Sequence, residues 1–139
     1  MRRKRDRVII DTNIWISYLI SNEFSFLDNL IQEHSILLIF SNELLEEFYE
    51  VARRKKFIKY FTTEDLKSIV YLISRFAIFV EVKSVFTVCR DPQDNYLLSL
   101  AFDSQATHLI TGDKDLLELH YFYKTKIVDY STYIKSKQS

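Results

Sequence analysis

Glycine, cysteine and histidine are scarce in this chain, and each shortage excludes a class of site. Gly112 is the only glycine among 139 residues, whereas a GxGxxG dinucleotide turn, a GxxxxGKS/T phosphate loop and a GxSxG nucleophile elbow each need more than one. Cys89 is the only cysteine, and the three histidines include no pair four residues apart. Zinc fingers, CxxC redox sites and HExxH metalloproteases are therefore excluded as well.

Long hydrophobic runs are also absent. The positive N-terminus is followed by only three apolar residues, 8–10, before Asp11 interrupts them, which is too short for an export signal. Other apolar runs, such as residues 36–40, are far below the roughly 18 residues of a membrane helix. A lone cysteine cannot form an internal disulfide, which favours a reducing compartment. We therefore expect a cytoplasmic protein without a membrane segment.

The remaining composition is that of one globular domain. Hydrophobic residues make up 47% of the chain, and 19 Lys and Arg balance 19 Asp and Glu. A chain of this length buries roughly two thirds of the surface that its unfolded state exposes. Because no Pro/Gly/Ser-rich linker divides it, we expect one domain over residues 8–131, between a basic tail at 1–7 and a C-terminal tail at 132–139.

Short β-branched and aromatic runs alternate with longer stretches of helical period. The predicted strands are 8–11, 36–40, 78–82, 108–111 and 126–128, and the predicted helices are 12–21, 24–33, 42–56, 63–75 and 92–104. Strands separated by helices of this length are typical of βαβ units. The pattern predicts an α/β fold whose parallel sheet is covered by helices on both faces and binds ligands at the carboxyl ends of its strands.

Four acidic residues are predicted to converge at that edge of the sheet, because right-handed crossovers place them all at the same end. They follow a strand or lie near the start of a helix, and they are Asp11, Glu47, Asp94 and Asp113. Carboxylates that converge without cations repel one another. Hard divalent cations such as Mg²⁺ or Mn²⁺ prefer all-oxygen sites of this kind. The four acids are therefore candidate metal ligands and catalytic residues.

Each acid also has an ordinary structural interpretation. Asp11 and Asp113 are placed to cap the helix that follows, and Glu47 fits a solvated helix face. A hydrogen bond to the backbone of the cap residue would explain Asp94. Asp91 is predicted mainly as a helix cap. Taken singly, the functional interpretation has no clear advantage, and the convergence of four acids is what favours it.

Positive charge is concentrated in two clusters. They comprise Arg2, Arg3, Lys4, Arg5 and Arg7 at the N-terminus, and Arg53, Arg54, Lys55, Lys56 and Lys59 near the end of the third predicted helix. One interpretation is a frayed tail together with cations placed favourably at a helix C-terminus. The other is that the clusters bind a polyanion, in which case binding would weaken with salt.

Five segments in this order resemble the successive motifs of PIN-domain ribonucleases. They are VIIDTNIWIS at 8–17, SNELLEEF at 41–48, RRKKFIKYF at 53–61, DPQDNYLLSLA at 91–101 and LITGDKDLLEL at 109–119. The closest likeness is to single-domain toxins of prokaryotic toxin–antitoxin modules, relatives of the VapC type. The resemblance implies a three-layer α/β/α fold with a mainly parallel central sheet, and metal-dependent cleavage of RNA to a 5′-phosphate and a 3′-hydroxyl.

The resemblance also implies roles for individual residues. The family's four acids fall on Asp11, Glu47, Asp94 and Asp113, where Glu47 either binds metal or positions the attacking water. Supporting polar positions fall on Asn13, Ser41 and Thr111, with Asp91 and Asp115 beside them, and the RNA-binding positions are Arg53, Arg54, Lys55 and Lys56. A homodimer and a cognate antitoxin follow from the same analogy. Two positions depart from the family pattern: Gln93 replaces a frequent Asp, and Lys55 a common Pro.

Two other functions fit parts of the pattern. A phosphorylated receiver-like domain also combines a parallel sheet with Mg²⁺, but it needs paired acids at the first strand end, where Asp11 has only Thr12 and Asn13 beside it. A non-catalytic module could keep the fold and use its basic clusters to hold RNA or a partner protein. The complete set of four acids favours the enzyme over this module.

Overall fold

Six strands and eight helices are formed within residues 5–21 and 25–138, which the computed structural model describes. The strands are β1 (Asp6–Ile10), β2 (Ile36–Phe40), β3 (Ile78–Phe79), β4 (His108–Ile110), β5 (Tyr121–Phe122) and β6 (Thr125–Val128). The helices are α1 (Thr12–Ser21), α2 (Ser25–Gln32), α3 (Asn42–Ala52), α4 (Lys55–Ile58), α5 (Thr63–Phe76), α6 (Pro92–Ser104), α7 (Lys114–Leu117) and α8 (Tyr130–Gln138).

The strands form one sheet in the order β3-β2-β1-β4-β6-β5. All neighbouring pairs are parallel except β5 and β6. In the central strand, Val8 pairs with Leu38 of β2 and with His108 of β4, and residues 8–10 are fully buried, as expected for a parallel sheet covered on both faces. The predicted three-layer α/β/α fold is confirmed. β2 and β4 lie on opposite sides of β1, so the order in which strands are added to the sheet reverses at β1. Ligand-binding crevices form at such points, at the carboxyl ends of the strands.

The predicted helix over 42–56 is wrong in one respect, because it is two helices. The apolar stripe of α3 ends with Val51 and Ala52, and Arg54 then takes an extended conformation (φ −66°, ψ 144°) before α4 begins. This break turns the chain so that Phe57 packs against the core. Four consecutive cations, 53–56, therefore lie at the junction of two helices instead of along one.

The strand predicted over 78–82 is shorter than expected. The backbone N–H of Val80 donates to the carbonyl of Phe40 in β2 (2.9 Å). The backbone N–H groups of Lys83 and Ser84 donate instead to the Asp103 carboxylate (2.6 and 2.8 Å). Residues 80–91 consequently form an irregular segment anchored on α6. β5, which pairs antiparallel with β6, was not predicted.

Both segments that were expected to be tails contain regular structure. Residues 6–7 belong to β1, and residues 132–138 belong to α8. Tyr133 of α8 is 1% exposed, and its hydroxyl donates to Asp6 (2.8 Å), which also pairs with Lys137 (2.7 Å). Residues 1–4 and 139 lie outside the described residues.

No helix within the described residues is both long enough and apolar enough to cross a membrane.

Candidate active site

The four predicted acids line one cavity at the carboxyl ends of β1, β2 and β4. Its volume is about 240 Å³, and its other lining residues are Thr12, Asn13, Val51, Arg54, Asp91 and Gln93. Asp11 directly follows β1, Asp113 follows β4, Glu47 projects from α3 and Asp94 lies in the first turn of α6. The topology therefore brings together carboxylates that are up to 102 residues apart in sequence (113 − 11).

Asp11 is held in place from both sides of the strand end. Its backbone N–H donates to Ile110 (2.9 Å), and its carboxylate Oδ2 accepts a hydrogen bond from the Thr111 hydroxyl (2.8 Å). Burial raises the pKa of Asp11, and the nearby charge of Asp113 adds to this, whereas hydrogen bonds from Thr111 and the backbone of Asn13 oppose it. Thr111 therefore contacts an acid of the cluster directly.

Glu47 is half-buried and directed toward the strand ends. Its Oε2 accepts hydrogen bonds from the Thr12 hydroxyl (3.4 Å) and from the Gln93 side-chain amide. Burial raises the pKa of Glu47, the charge of Asp11 raises it further, and Arg54 opposes both. These contacts argue against a freely solvated surface acid.

Asp94 has the least satisfied carboxylate of the cluster. The residue is 4% exposed, and within the described part of the chain its buried Oδ2 has no hydrogen-bond partner. Burial and the charges of Asp113, Asp91 and Asp11 raise its pKa from 3.8 to about 7. The capping interpretation belongs to Asp91 instead, whose carboxylate accepts from the Gln93 backbone at the start of α6 (2.9 Å).

Asp113 and Asp115 bring two further carboxylates to Asp94. One oxygen from each of the three residues lies within 4.8 Å of the other two. Asp113 also caps α7, where it accepts from the backbone N–H groups of Asp115 (2.8 Å) and Leu116 (3.4 Å). Asp115 was predicted only in a supporting role, although two acids separated by one residue in a turn can face the same point.

Ser41 does not line the cavity. It is fully buried, and its hydroxyl caps α3 by accepting from Leu44 (3.1 Å) while it also hydrogen-bonds the Tyr96 hydroxyl. Tyr96 in turn donates to Glu43 (3.1 Å). Ser41 therefore helps to join α3 to α6, and Tyr96 is a structural contact that no sequence pattern indicated.

The second basic cluster lies beside the acids, whereas the described part of the first does not. Arg54 lines the cavity, and its neighbours in sequence, Arg53, Lys55 and Lys56, are exposed. Arg7 instead donates to the Ser104 carbonyl (3.1 and 2.9 Å), at the opposite end of β1.

The donor set fits a hard divalent cation. It contains carboxylates without a histidine or cysteine ligand among the cavity residues, and oxygen-rich sites of this composition bind Mg²⁺, Mn²⁺ or Ca²⁺. The buried Oδ2 of Asp94, which has no partner in the part of the chain that the structure describes, is the clearest structural sign, because a buried ionised group needs a partner. A cation among Asp94, Asp113 and Asp115 would supply it.

Two comparisons place the chain among known proteins. It matches the PIN domain family over residues 7–115. That span contains Asp11, Glu47, Asp94, Asp113 and Asp115. It is also similar to an uncharacterized protein of Methanocaldococcus jannaschii, MJ1680, with 35% identity over 123 residues, which are 86% of this chain and 78% of that protein.

Proposed function

The chain belongs to the PIN-domain family, whose members are typically nucleases, and we propose that it is a metal-dependent ribonuclease. The observation that carries the proposal is the cavity of converging acids in which Asp94 is buried and its Oδ2 has no partner within residues 5–21 and 25–138. Such an arrangement destabilises the metal-free fold, and binding of a divalent cation relieves the repulsion. The all-carboxylate donor set supports Mg²⁺ or Mn²⁺.

When bound, the cation lowers the pKa of a water molecule and neutralises the charge of the phosphodiester. Asp94, Asp113 and Asp115 would hold it, and Asp11, which accepts a hydrogen bond from Thr111, would lie beside them in the same cavity. Attack of water at phosphorus with loss of the 3′-oxygen leaves a 5′-phosphate and a 3′-hydroxyl, the products that the family resemblance implies.

Glu47 orients the attacking water. Among the described residues, Thr12 and Gln93 both donate to Oε2 of Glu47. Its other oxygen, Oε1, is then the atom that accepts a hydrogen bond from the water.

The exposed cations Arg53, Arg54, Lys55 and Lys56 bind phosphates that flank the cleaved bond. Their position beside the cavity supports this role, because Arg54 contributes to its wall. Binding through such contacts weakens as salt rises.

The biological role that we propose is that of a toxin in a toxin–antitoxin pair, acting in the cytoplasm as a homodimer. What supports it is the resemblance of the five sequence segments to single-domain toxins. A growth assay tests it: expression of the wild type should arrest a bacterial host, and expression of Asp94→Asn should not. Arrest by both proteins would contradict a toxic nuclease.

The activity is tested with purified protein and a mixed RNA pool, in the presence of Mg²⁺, Mn²⁺ or EDTA. Glu47→Gln and Asp94→Asn should abolish cleavage. Glu50→Gln is the matched control, because it removes an exposed acid from the same helix and should leave cleavage unchanged. Intact RNA with all folded proteins would refute the ribonuclease and favour the non-catalytic module.

A further inference from the structure

A second cavity lies next to the active site, where α3, α4 and α5 meet. Its volume is about 290 Å³, and it is lined by Tyr49, Arg53, Ile58, Phe61, Thr62, Thr63 and Leu66. Tyr49 and Ile58 remain 44% and 49% exposed. The cavity therefore presents large apolar surfaces to solvent in a part of the molecule that is otherwise strongly charged.

Tyr49 and Arg53 form a cation–π pair at the wall of this cavity. The guanidinium carbon of Arg53 lies 5.1 Å from the centroid of the Tyr49 ring. Aromatic rings and guanidinium planes are the two surfaces on which unpaired nucleobases stack in RNA-binding proteins. The pair and the apolar side chains of Ile58 and Leu66 together suit a flat, weakly polar ligand.

Charge distinguishes this cavity from its neighbour. Residues 51–63 contain five cations and no acid, and the acids that follow are already engaged: Asp65 in the capping box with Thr62, and Glu64 with Lys67 (3.9 Å). A larger cavity on the same Tyr49–Arg53 pair is lined by Glu46 and Glu50 instead. The positive charges therefore favour a polyanion in the cavity beside α4, and the acids Glu46 and Glu50 oppose one in the larger cavity.

The cavity is close enough to the active site to contact the same strand. Arg53 lines this cavity and the next residue, Arg54, lines the cavity of the acids. Arg53 follows Glu47 by six positions, which corresponds to a separation of about 9 Å along a helix axis. A stacked strand spans that distance in roughly three nucleotides, and an extended strand in fewer.

We propose that this cavity is a base-binding pocket, which receives an unpaired nucleobase of the RNA strand beside the cleavage site. The inference rests on the proposed function and extends it, because it makes single-stranded RNA the preferred substrate. Tyr49 and Arg53 stack on the base, and the neighbouring cations hold its phosphates. A base in a duplex cannot enter the pocket, since its faces are covered by its neighbours.

Binding is measured by fluorescence anisotropy in EDTA, so that no cleavage occurs. The probes are a labelled single-stranded RNA of roughly 12 nucleotides and the same strand in a duplex. Tyr49→Ala should weaken binding of the single strand by about five- to 100-fold, the effect expected for losing one stacked base, and should leave the duplex affinity unchanged. Tyr71→Ala is the matched control, because Tyr71 is an exposed tyrosine of α5, 65% exposed.

Two further probes identify the contact as stacking. Tyr49→Phe keeps the ring and should restore binding, whereas Arg53→Lys keeps the charge without the planar guanidinium and should weaken it. An abasic site moved along the oligonucleotide should reduce wild-type binding most strongly at one position, and Tyr49→Ala should lose that position dependence.

Equal affinities of Tyr49→Ala and Tyr71→Ala for the single strand would overturn the proposed base-binding pocket. An equal loss of affinity for the single strand and the duplex in Tyr49→Ala would overturn it as well. RNA binding that is unchanged in a folded Tyr49→Ala protein, with loss of binding to a protein partner, would assign the surface to that partner. Because the assay contains no metal, it is independent of the nuclease: a wild type that binds as described but never cleaves RNA would refute the proposed activity alone.

Discussion

Replacing Asp94 with Asn tests the metal site through protein stability. In the metal-free fold, Asp94 is 4% exposed and Oδ2 has no partner among the described residues. Burial and neighbouring acids raise its pKa from 3.8 to about 7. An acid whose pKa is higher in the folded state loses stability as pH rises from the lower value to the higher one, and the full loss persists above pH 7.

The magnitude follows from the two pKa values. Their difference corresponds to about 4 kcal/mol at a pH of roughly 8, where the carboxylate is ionised in both states. Asn removes the charge but leaves a buried amide with hydrogen bonds to satisfy, so we expect a gain of about 1–3 kcal/mol. For a domain of this size, that gain raises the melting temperature by roughly 3–10 °C.

A divalent cation should invert the order of the two proteins. Thermal melting in EDTA should show Asp94→Asn as the more stable protein. A saturating level of Mn²⁺ should stabilise the wild type by about 4.1 kcal/mol at roughly a thousand times its dissociation constant, which exceeds the advantage of the variant, and should hardly affect the variant. The advantage of the variant in EDTA should shrink as the pH is lowered toward 4, because the wild-type carboxyl then becomes protonated.

Glu50→Gln is the matched control, because it neutralises an exposed acid that does not line the cavity. Its effect in EDTA should stay below about 1 kcal/mol. The reasoning is refuted if Asp94→Asn melts below the wild type in EDTA, or if Mn²⁺ stabilises both proteins equally.

Three other substitutions have defined outcomes. Tyr133→Phe removes a hydrogen bond to Asp6 and should lower stability by about 1–2 kcal/mol in urea titrations at neutral pH. Burial alone raises the pKa of Asp6, but hydrogen bonds from Lys137 and Tyr133 hold that pKa below 3.8. The ionised Asp6 carboxylate therefore stabilises the fold above pH 3.8. The stability difference between the wild type and Tyr133→Phe should shrink as the pH falls below that value. Gln105→Gly should raise stability by about 0.5–1 kcal/mol, because Gln105 ends α6 at a φ of 53°. Gln93→Glu places a second carboxylate against Glu47 and should lower the melting temperature in EDTA, with recovery in Mn²⁺.

Local signals were sufficient for several elements. The bounds of α1, β2 and α6 coincide with the prediction, because the apolar runs have clear ends and Asp91 and Pro92 mark the start of α6. The break between α3 and α4 and the irregular segment 80–91 depend on distant contacts, such as the hydrogen bonds from Lys83 and Ser84 to Asp103. A pattern along the chain does not contain them.

The lone glycine does not occupy a left-handed position. The φ of Gly112 is not positive, and an added Cβ would meet only Ile14 Cδ1 at 4.0 Å. Among the described residues, the left-handed positions are held by His34, Gln105, His120 and Tyr123. Composition does not locate these turns, because side chains that rarely adopt this conformation are fixed in it by the surrounding fold.

The structural and functional interpretations of the acids turn out to be compatible. Asp91 and Asp113 cap helices and also line the cavity, since helices that follow parallel strands begin at the carboxyl edge where ligands bind. Backbone N–H groups at those helix starts stabilise part of the negative charge. Asp94 and Glu47 cap no helix, and their pKa values are raised. The pKa of Asp11 is raised as well, so the negative charge of these three acids is only partly compensated, and a divalent cation is a partner of matching chemistry.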